Sequence, residues 1–247
     1  PDKSSWCFID WVECEKATAL QMLFYLALRS AARTAERMHD MAVSTRCHTQ
    51  AEFLKQKLFA TAFDPSVGLF FATPGKPESG FIRHPNFLAV IADLVDPVQS
   101  AHIVQELLSR NMPPTGTPYM ASLEIIALYR GGRADAAIDS IRKIWGGMLK
   151  RGATTFFEAY DETATDEQLY AFYGRPYAMS LCHAWSSGPA ALLPLIVFGC
   201  EPTSDGWKTF HVNKTSPLSN ACATVPAAES TICLESVEGN ITSAKFD

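Results

Sequence analysis

From Glu15 to about Asp40 the apolar side chains fall at Leu20, Leu23, Phe24, Ala27, Leu28, Ala31, Ala35 and Met38. Steps of three and four predict one long amphipathic helix. Thr49 and Glu52 have the spacing of a capping box and predict the start of a second helix through Phe53, Leu54, Leu58 and Phe59, which Asp64-Pro65 ends. After a loop rich in Pro and Gly over 73–80, Pro85 is placed to be the first residue of a helix over 86–94. Asp96-Pro97 opens a helix to Arg110, and Pro113-Pro114-Thr115-Gly116 breaks the chain again. Tyr119 to Arg130 follows as a helix with Gly131-Gly132 as its stop. Ala134 to Lys150 is the next, with Ile138, Ile141, Trp145 and Leu149 on one face. The stretch from Arg151 to Pro176 is acidic, aromatic and without a sustained period, and a last helix is predicted from Met179 to Phe198, closing at Gly199. Beyond Pro202 the residues turn to Thr, Ser, Asn and Val, and Ser230 to Leu234 favours strand.

About seven helices without intervening strands pack as hairpins, so a mainly α bundle or helical toroid is expected, with a β-prone tail. In a toroid, loops at one end of the inner helices meet over a central cavity, so the loops to inspect are those joining aromatic and carboxylate side chains.

Composition narrows the function classes. The chain has 247 residues, 47% hydrophobic and 19% charged, with a net charge of −5. There is no basic run to attract nucleic acid or an anionic membrane, so neither partner is expected. The longest apolar stretch, Ala190 to Phe198, is interrupted by Pro194 and is shorter than the ~20 residues that span a bilayer. Pro1-Asp2-Lys3 does not open a signal peptide, so a soluble chain with no visible targeting segment is expected and its compartment stays open. Seven cysteines without a Cys-x-x-Cys pair or a Cys/His ligand spacing predict no metal site, and most of them are expected to be buried, reduced thiols. No cofactor is implied: the Gly131-Gly132 and Gly146-Gly147 pairs follow no strand, and neither a Gly-x-Ser-x-Gly nor a His-Glu-x-x-His motif occurs.

Three loops carry candidate chemistry. Trp6 to Trp11 (Trp-Cys-Phe-Ile-Asp-Trp) sets Asp10 beside Trp11, a carboxylate for sugar hydroxyls next to an aromatic face for a sugar ring; the same residues also fit a hydrophobic staple at a helix start. Gly152 to Glu162 holds Glu158 among Phe156, Phe157 and Tyr160, walls that restrict solvent and fix a general base. A solvated acidic loop is the alternative there, since Asp161, Glu162, Asp166 and Glu167 follow closely. Ser180 to Pro189 places His183 and Trp185 in the first turns of the predicted last helix, as site residues or as core and capping residues.

Taken in order, Phe8-Ile-Asp-Trp11, Gly152-Ala-Thr-Thr-Phe-Phe-Glu158 and Ser180-Leu-Cys-His-Ala-Trp185-Ser-Ser-Gly-Pro189 resemble the motifs of bacterial and fungal alpha-L-rhamnosidases. Smaller echoes are Ile82-Arg-His84-Pro-Asn86, Thr117-Pro-Tyr119 and Ile144-Trp-Gly-Gly-Met148, and the matches run nearly to Trp207. The resemblance implies the second half of an (α/α)6 barrel over 1–202 and the start of a C-terminal β-sandwich over 203–247. It also implies inverting removal of terminal alpha-L-rhamnose, with Glu158 as general base. His183 and Trp11 would contact the sugar, with Asp10 and Trp185 beside them. Phe157 and Tyr160 stand where the family commonly has Trp, which keeps an aromatic wall but loses an indole N–H.

An inverting glycosidase needs a second carboxyl group, about 6.5–9.5 Å from the first, to protonate the leaving oxygen. In the family that acid lies upstream of the Asp-Trp motif, in a stretch not found here, so the chain is expected to begin mid-barrel and to lack the acid. Half a barrel would leave apolar helix faces uncovered, so self-association through the uncovered face is expected. The competing expectation is a noncatalytic carbohydrate-binding or helical scaffold module that keeps the aromatic pocket and needs no acid.

Overall fold

The computed structural model describes residues 8–12, 15–227 and 229–247; Trp6, on the edge of the first motif, lies outside them. The chain divides into two compact units, residues 1–132 and 133–247.

The first unit opens with helices α1 (Ala17–Arg37) and α2 (Met41–Thr61), packed as a hairpin. The buried stripe of α1 is Thr18, Met22, Tyr25, Leu28, Ala32 and Ala35, one position away from much of the stripe expected from sequence, and Phe24 is 56% exposed. Apolar residues lie on more than one face of α1, and the face carrying the small alanines permits the closest approach of a neighbour. Helix α2 starts eight residues before the expected capping box. The side chain of Asp40 accepts the Val43 N–H and caps it there, while Thr49 sits mid-helix with its hydroxyl donating to the Thr45 carbonyl. A cap more than two turns earlier overrides the later pattern because nothing between Met41 and Gln50 breaks a helix.

A short hairpin, β1 (Phe63–Asp64) against β2 (Leu69–Phe70), leads into helix α3 (Arg83–Ile91). Pro85 falls at the third helical position rather than the first, which costs nothing because the first four N–H groups of a helix lack intrahelical partners anyway. Every residue from His84 to Ile91 is buried, and α3 packs against α1, α4 (Pro97–Ser109) and α5 (Pro118–Arg130). Asn86 and the last carbonyls of this central helix are paired. Asn86 accepts the Phe70 N–H at 2.8 Å and donates to the Phe70 and Ile82 carbonyls. Arg29 of α1 and Arg130 of α5 donate to the carbonyls of Ala92 and Ile91 at its C-terminal end.

The second unit begins with α6 (Ala134–Lys150), the segment expected from sequence. Its buried face is Ala137, Ile138, Ile141, Trp145 and Met148, whereas Leu149 is 69% exposed. The aperiodic stretch that follows contains a five-residue helix, α7 (Asp166–Tyr170), opened by a reciprocal capping box between Thr165 and Gln168. Helix α8 spans only Gly188–Phe198, nine residues later than the sequence predicts, and closes at Gly199 in the left-handed conformation (φ 64°). In place of the missing first turns are irregular backbone at 180–183, hydrogen-bonded to 156–158, and a single 3-10 turn at Ala184–Ser186. Strands follow: β3 (Glu201–Pro202) with β4 (Phe210–His211), then an antiparallel sheet of β5 (Ala221–Pro226), β6 (Thr231–Val237) and β7 (Asn240–Phe246). The chain is thus mainly α with a β region at its end, as expected. The cysteines are less hidden than expected: among the described ones Cys47 and Cys200 are buried, while Cys182 and Cys222 are exposed.

Adjacent glycines on α6 make a test of this packing. A Cβ on Gly146 meets nothing within 4 Å, whereas one on Gly147 overlaps the Tyr160 hydroxyl and lies 2.8 Å from its Cε1. Gly146→Ala should therefore stabilise by about 0.5–1 kcal/mol through lower chain entropy. Gly147→Ala should destabilise by about 1–3 kcal/mol by overpacking. Urea denaturation of the two variants reads both signs, and equal effects would contradict the Tyr160 contact.

Candidate active site

The two groups of candidate residues lie in different units, and each is built separately. In the first unit, Asp10 is buried, with its side chain fully shielded from solvent. Its Oδ2 takes a 2.6 Å hydrogen bond from His84 Nε2 and the Gly116 N–H at 2.8 Å, and Oδ1 takes the N–H of Trp11 at 2.9 Å. Burial pushes the Asp10 carboxyl up, but His84 and the two backbone donors outweigh it and hold the group below its ordinary value of 3.8. A Cβ on Gly116 would lie 2.8 Å from the Val12 nitrogen and 3.3 Å from the Trp11 Cβ, so only glycine lets this turn come up under the Trp11 loop. The carboxylate expected to face a sugar is turned inward on protein donors, and what it positions is the backbone of Trp11. His84 and Gly116, absent from the sequence-derived site, complete this knot. His84 was visible only as part of the Ile82–Asn86 echo, and nothing in one sequence pairs it with a residue 74 positions away.

In the second unit, the irregular segments 155–158 and 180–183 are joined by hydrogen bonds. The Glu158 N–H donates to the Ser180 carbonyl at 2.9 Å, the His183 N–H donates to the Phe156 carbonyl at 2.8 Å, and the Thr155 hydroxyl donates to the Leu181 carbonyl. The indole N–H of Trp185 donates to the Glu158 carbonyl at 3.0 Å, and Trp145 of α6 donates to the Ser186 carbonyl at 2.7 Å. These bonds bring Glu158, His183 and Trp185 together, and they explain why the chain here is not helical. His183 therefore does not stand at the amino end of a helix; it leaves extended backbone (φ −120°, ψ 116°) just ahead of the 3-10 turn.

Glu158 is 7% exposed. Its Oε2 accepts the Ser180 N–H at 2.9 Å, and its Oε1 accepts the hydroxyl of Tyr173, a residue the sequence pattern did not single out. His183 Nδ1 stands 3.9 Å from Oε2, adjacent but too far for a hydrogen bond. The His183 and Trp185 rings are 4.4 Å apart at 50°. Because the Trp185 N–H is engaged by the chain, any contact it makes with a sugar is through the ring face. Phe157 is buried with its ring edge-to-face on Tyr170, while Phe156 is exposed. Tyr160 lies under the Arg151 guanidinium, 5.6 Å from it. The unit thus offers a shielded carboxylate with both oxygens held, beside an imidazole, an indole face and several phenols. Such a group can take a proton from a bound water if one arrives within hydrogen-bond reach. Among the described residues there is no cluster of His, Cys, Asp and Glu that could hold a metal ion, and no helix long and apolar enough to cross a membrane.

No family model matches the chain, and no curated protein sequence does. Solved structures do. A GH78-family rhamnosidase of Bacillus sp. GL1 matches 94% of this chain with a TM-score of 0.77 at 23% identity. A rhamnosidase from Klebsiella oxytoca, solved with rhamnose bound, matches 76% of it with a TM-score of 0.67 at 29% identity. The alpha-L-rhamnosidase of Streptomyces avermitilis, solved in complex with L-rhamnose, matches 92% with a TM-score of 0.68 at 15% identity. The matched regions cover 25%, 36% and 22% of those chains, so this chain spans about a quarter to a third of their length. Along most of its length the chain has the fold of part of an alpha-L-rhamnosidase and is related in structure to glycoside hydrolases.

Proposed function

We propose that this chain is part of an inverting glycoside hydrolase that removes terminal alpha-L-rhamnose, with Glu158 as the general base. The observation that carries this is the shielded Glu158 carboxylate, held on one oxygen by the Ser180 amide and on the other by Tyr173, beside His183 and Trp185. Support for rhamnose comes from the structural likeness to the Klebsiella and Streptomyces enzymes, both solved with that sugar.

In this mechanism Glu158 takes a proton from a water molecule as its oxygen attacks the anomeric carbon from the face opposite the leaving group. A second carboxyl group protonates the glycosidic oxygen as the C–O bond breaks, and the sugar is released with inverted configuration. Glu158 ends protonated and the acid ionised, and solvent restores both. His183 and the Trp185 face hold the sugar beside Glu158. The acid is proposed to come from a stretch that this chain does not contain. Self-association belongs to the same proposal, supported by Phe24 and Phe53, which are 56% and 62% exposed.

The test compares this chain alone with the complete enzyme on an aryl alpha-L-rhamnoside. The chain alone should give no release above the blank, and the complete enzyme should cleave. Turnover by the isolated chain would overturn the external acid. Rhamnose binding by calorimetry, with no cleavage by the complete protein, would instead establish the noncatalytic carbohydrate-binding alternative.

A further inference from the structure

Both oxygens of Glu158 are held, but by unlike partners. The Ser180 amide belongs to backbone locked by the pairing of 155–158 with 180–183. The other partner, Tyr173, sits on a turn just past α7 and is 49% exposed, so its phenol reaches from the surface to a carboxylate that is 7% exposed.

That turn is anchored on its N-terminal side. Leu169 is buried at 2% exposure, and Arg151 ties the start of α7 by pairing with Asp166 at 2.9 Å and donating to the Ala164 carbonyl. On either side of Tyr173 the chain is closed by the Phe172 N–H on the Leu169 carbonyl and the Gly174 N–H on the Ala171 carbonyl. The Phe172 ring meets the Tyr173 ring edge-to-face at 5.1 Å. The ring contact and these turn bonds place the Tyr173 ring, and its hydroxyl donates to Glu158.

We propose that Tyr173 is a positioning residue for Glu158, its hydroxyl fixing the carboxylate plane that the Ser180 amide alone leaves free to turn. This rests on the base role given to Glu158 above. A carboxylate held at one oxygen can still rotate about its last torsion, which is broad for glutamate; held at both, it presents the same lone pairs to each incoming water. Charge-assisted hydrogen bonds of this kind are stronger than neutral ones, so the contact is worth a rotamer. Burial, then the hydrogen bond and negative charge of Glu158, push the Tyr173 phenol up to about 12. The bond is thus intact below the ordinary phenol value of 10 and is lost as pH rises through about 12.

The test uses the complete enzyme and Tyr173→Phe, which keeps the ring contact with Phe172. We expect kcat to fall about ten- to a hundredfold with KM changed less than about twofold, because a misdirected base loses rate without losing substrate. The melting temperature should stay near that of the wild type. An unchanged kcat, or a loss confined to KM, overturns the inference. Glu158→Gln assayed alongside separates the two claims: if it abolishes turnover while Tyr173→Phe does not, only the positioning role fails; if neither lowers turnover, the base role fails too. A second readout needs no activity. In this chain a millisecond pH jump followed by phenolate absorbance should show one of the seven tyrosines titrating near 12. In Glu158→Gln that step should move toward 10. A step that stays in place would mean that the phenol does not sense Glu158.

Discussion

Glu158→Gln in the complete enzyme should lower kcat on an aryl alpha-L-rhamnoside by about 10²- to 10⁴-fold, the range by which a positioned general base accelerates a reaction. The substitution keeps the side-chain shape, and the amide oxygen can still accept from one of the two donors at Ser180 and Tyr173. What disappears is the ability to take a proton. KM should therefore change by no more than about threefold, since His183 and Trp185 are untouched and the interaction removed is one made only in the transition state. Steady-state kinetics on the purified variant check this. Retention of most of the turnover would remove Glu158 from the mechanism.

The largest effect on stability is expected at Asp10. Asp10→Ala should destabilise the first unit by about 3–5 kcal/mol, because each buried donor left without its acceptor costs about 1–3 kcal/mol. The carboxylate accepts from His84, Gly116 and Trp11, and all three donors would be left without it in the interior. His84 has little to fall back on, because its Nδ1 is already buried without a hydrogen-bond partner. The contact also carries a pH signature. The Asp10 carboxyl titrates below its ordinary value in the fold, so its stabilisation is fully present above 3.8 and is lost as pH falls through the lowered value. Urea denaturation of this chain should show a constant wild-type advantage over Asp10→Asn from neutral pH to about 4, shrinking below that. A loss under about 1 kcal/mol for Asp10→Ala would contradict the buried network.

These two residues show where one sequence is informative. Glu158, His183 and Trp185 stand in two short aromatic motifs, and the structure brings all three together because the motifs hydrogen-bond to each other through their backbones. That pairing is also why the last helix was misplaced: Met179 to Ser187 has enough apolar residues to read as helix, but its backbone bonds go to 155–158 instead. Helices α5 and α6 were legible to within a residue because Pro118, Gly131 and Gly152 mark their ends in the chain itself. The start of α2 was not, since two capping signals competed and only the fold selects between Asp40 and Thr49. The stripe of α1 was misjudged because apolar residues occupy more than one of its faces, and which one is deepest depends on neighbours. Tyr173 was hidden in an aperiodic stretch. Its one signal is the crowding of Tyr170, Phe172, Tyr173 and Tyr177 between Glu158 and His183, which marks an aromatic environment without naming a partner. The inward turn of Asp10 was invisible for the same reason, as its donors come from residues 84 and 116.

The role of Glu158 can be tested most directly by chemical rescue of the complete enzyme carrying Glu158→Ala, with sodium azide and an activated aryl alpha-L-rhamnoside. An anion small enough to occupy the space of the lost carboxylate needs no base, and it attacks from the face where Glu158 would have directed water. The account predicts that azide restores aryl release and that proton NMR shows beta-L-rhamnosyl azide as the product. No rescue, or an azide product of retained alpha configuration, would contradict it.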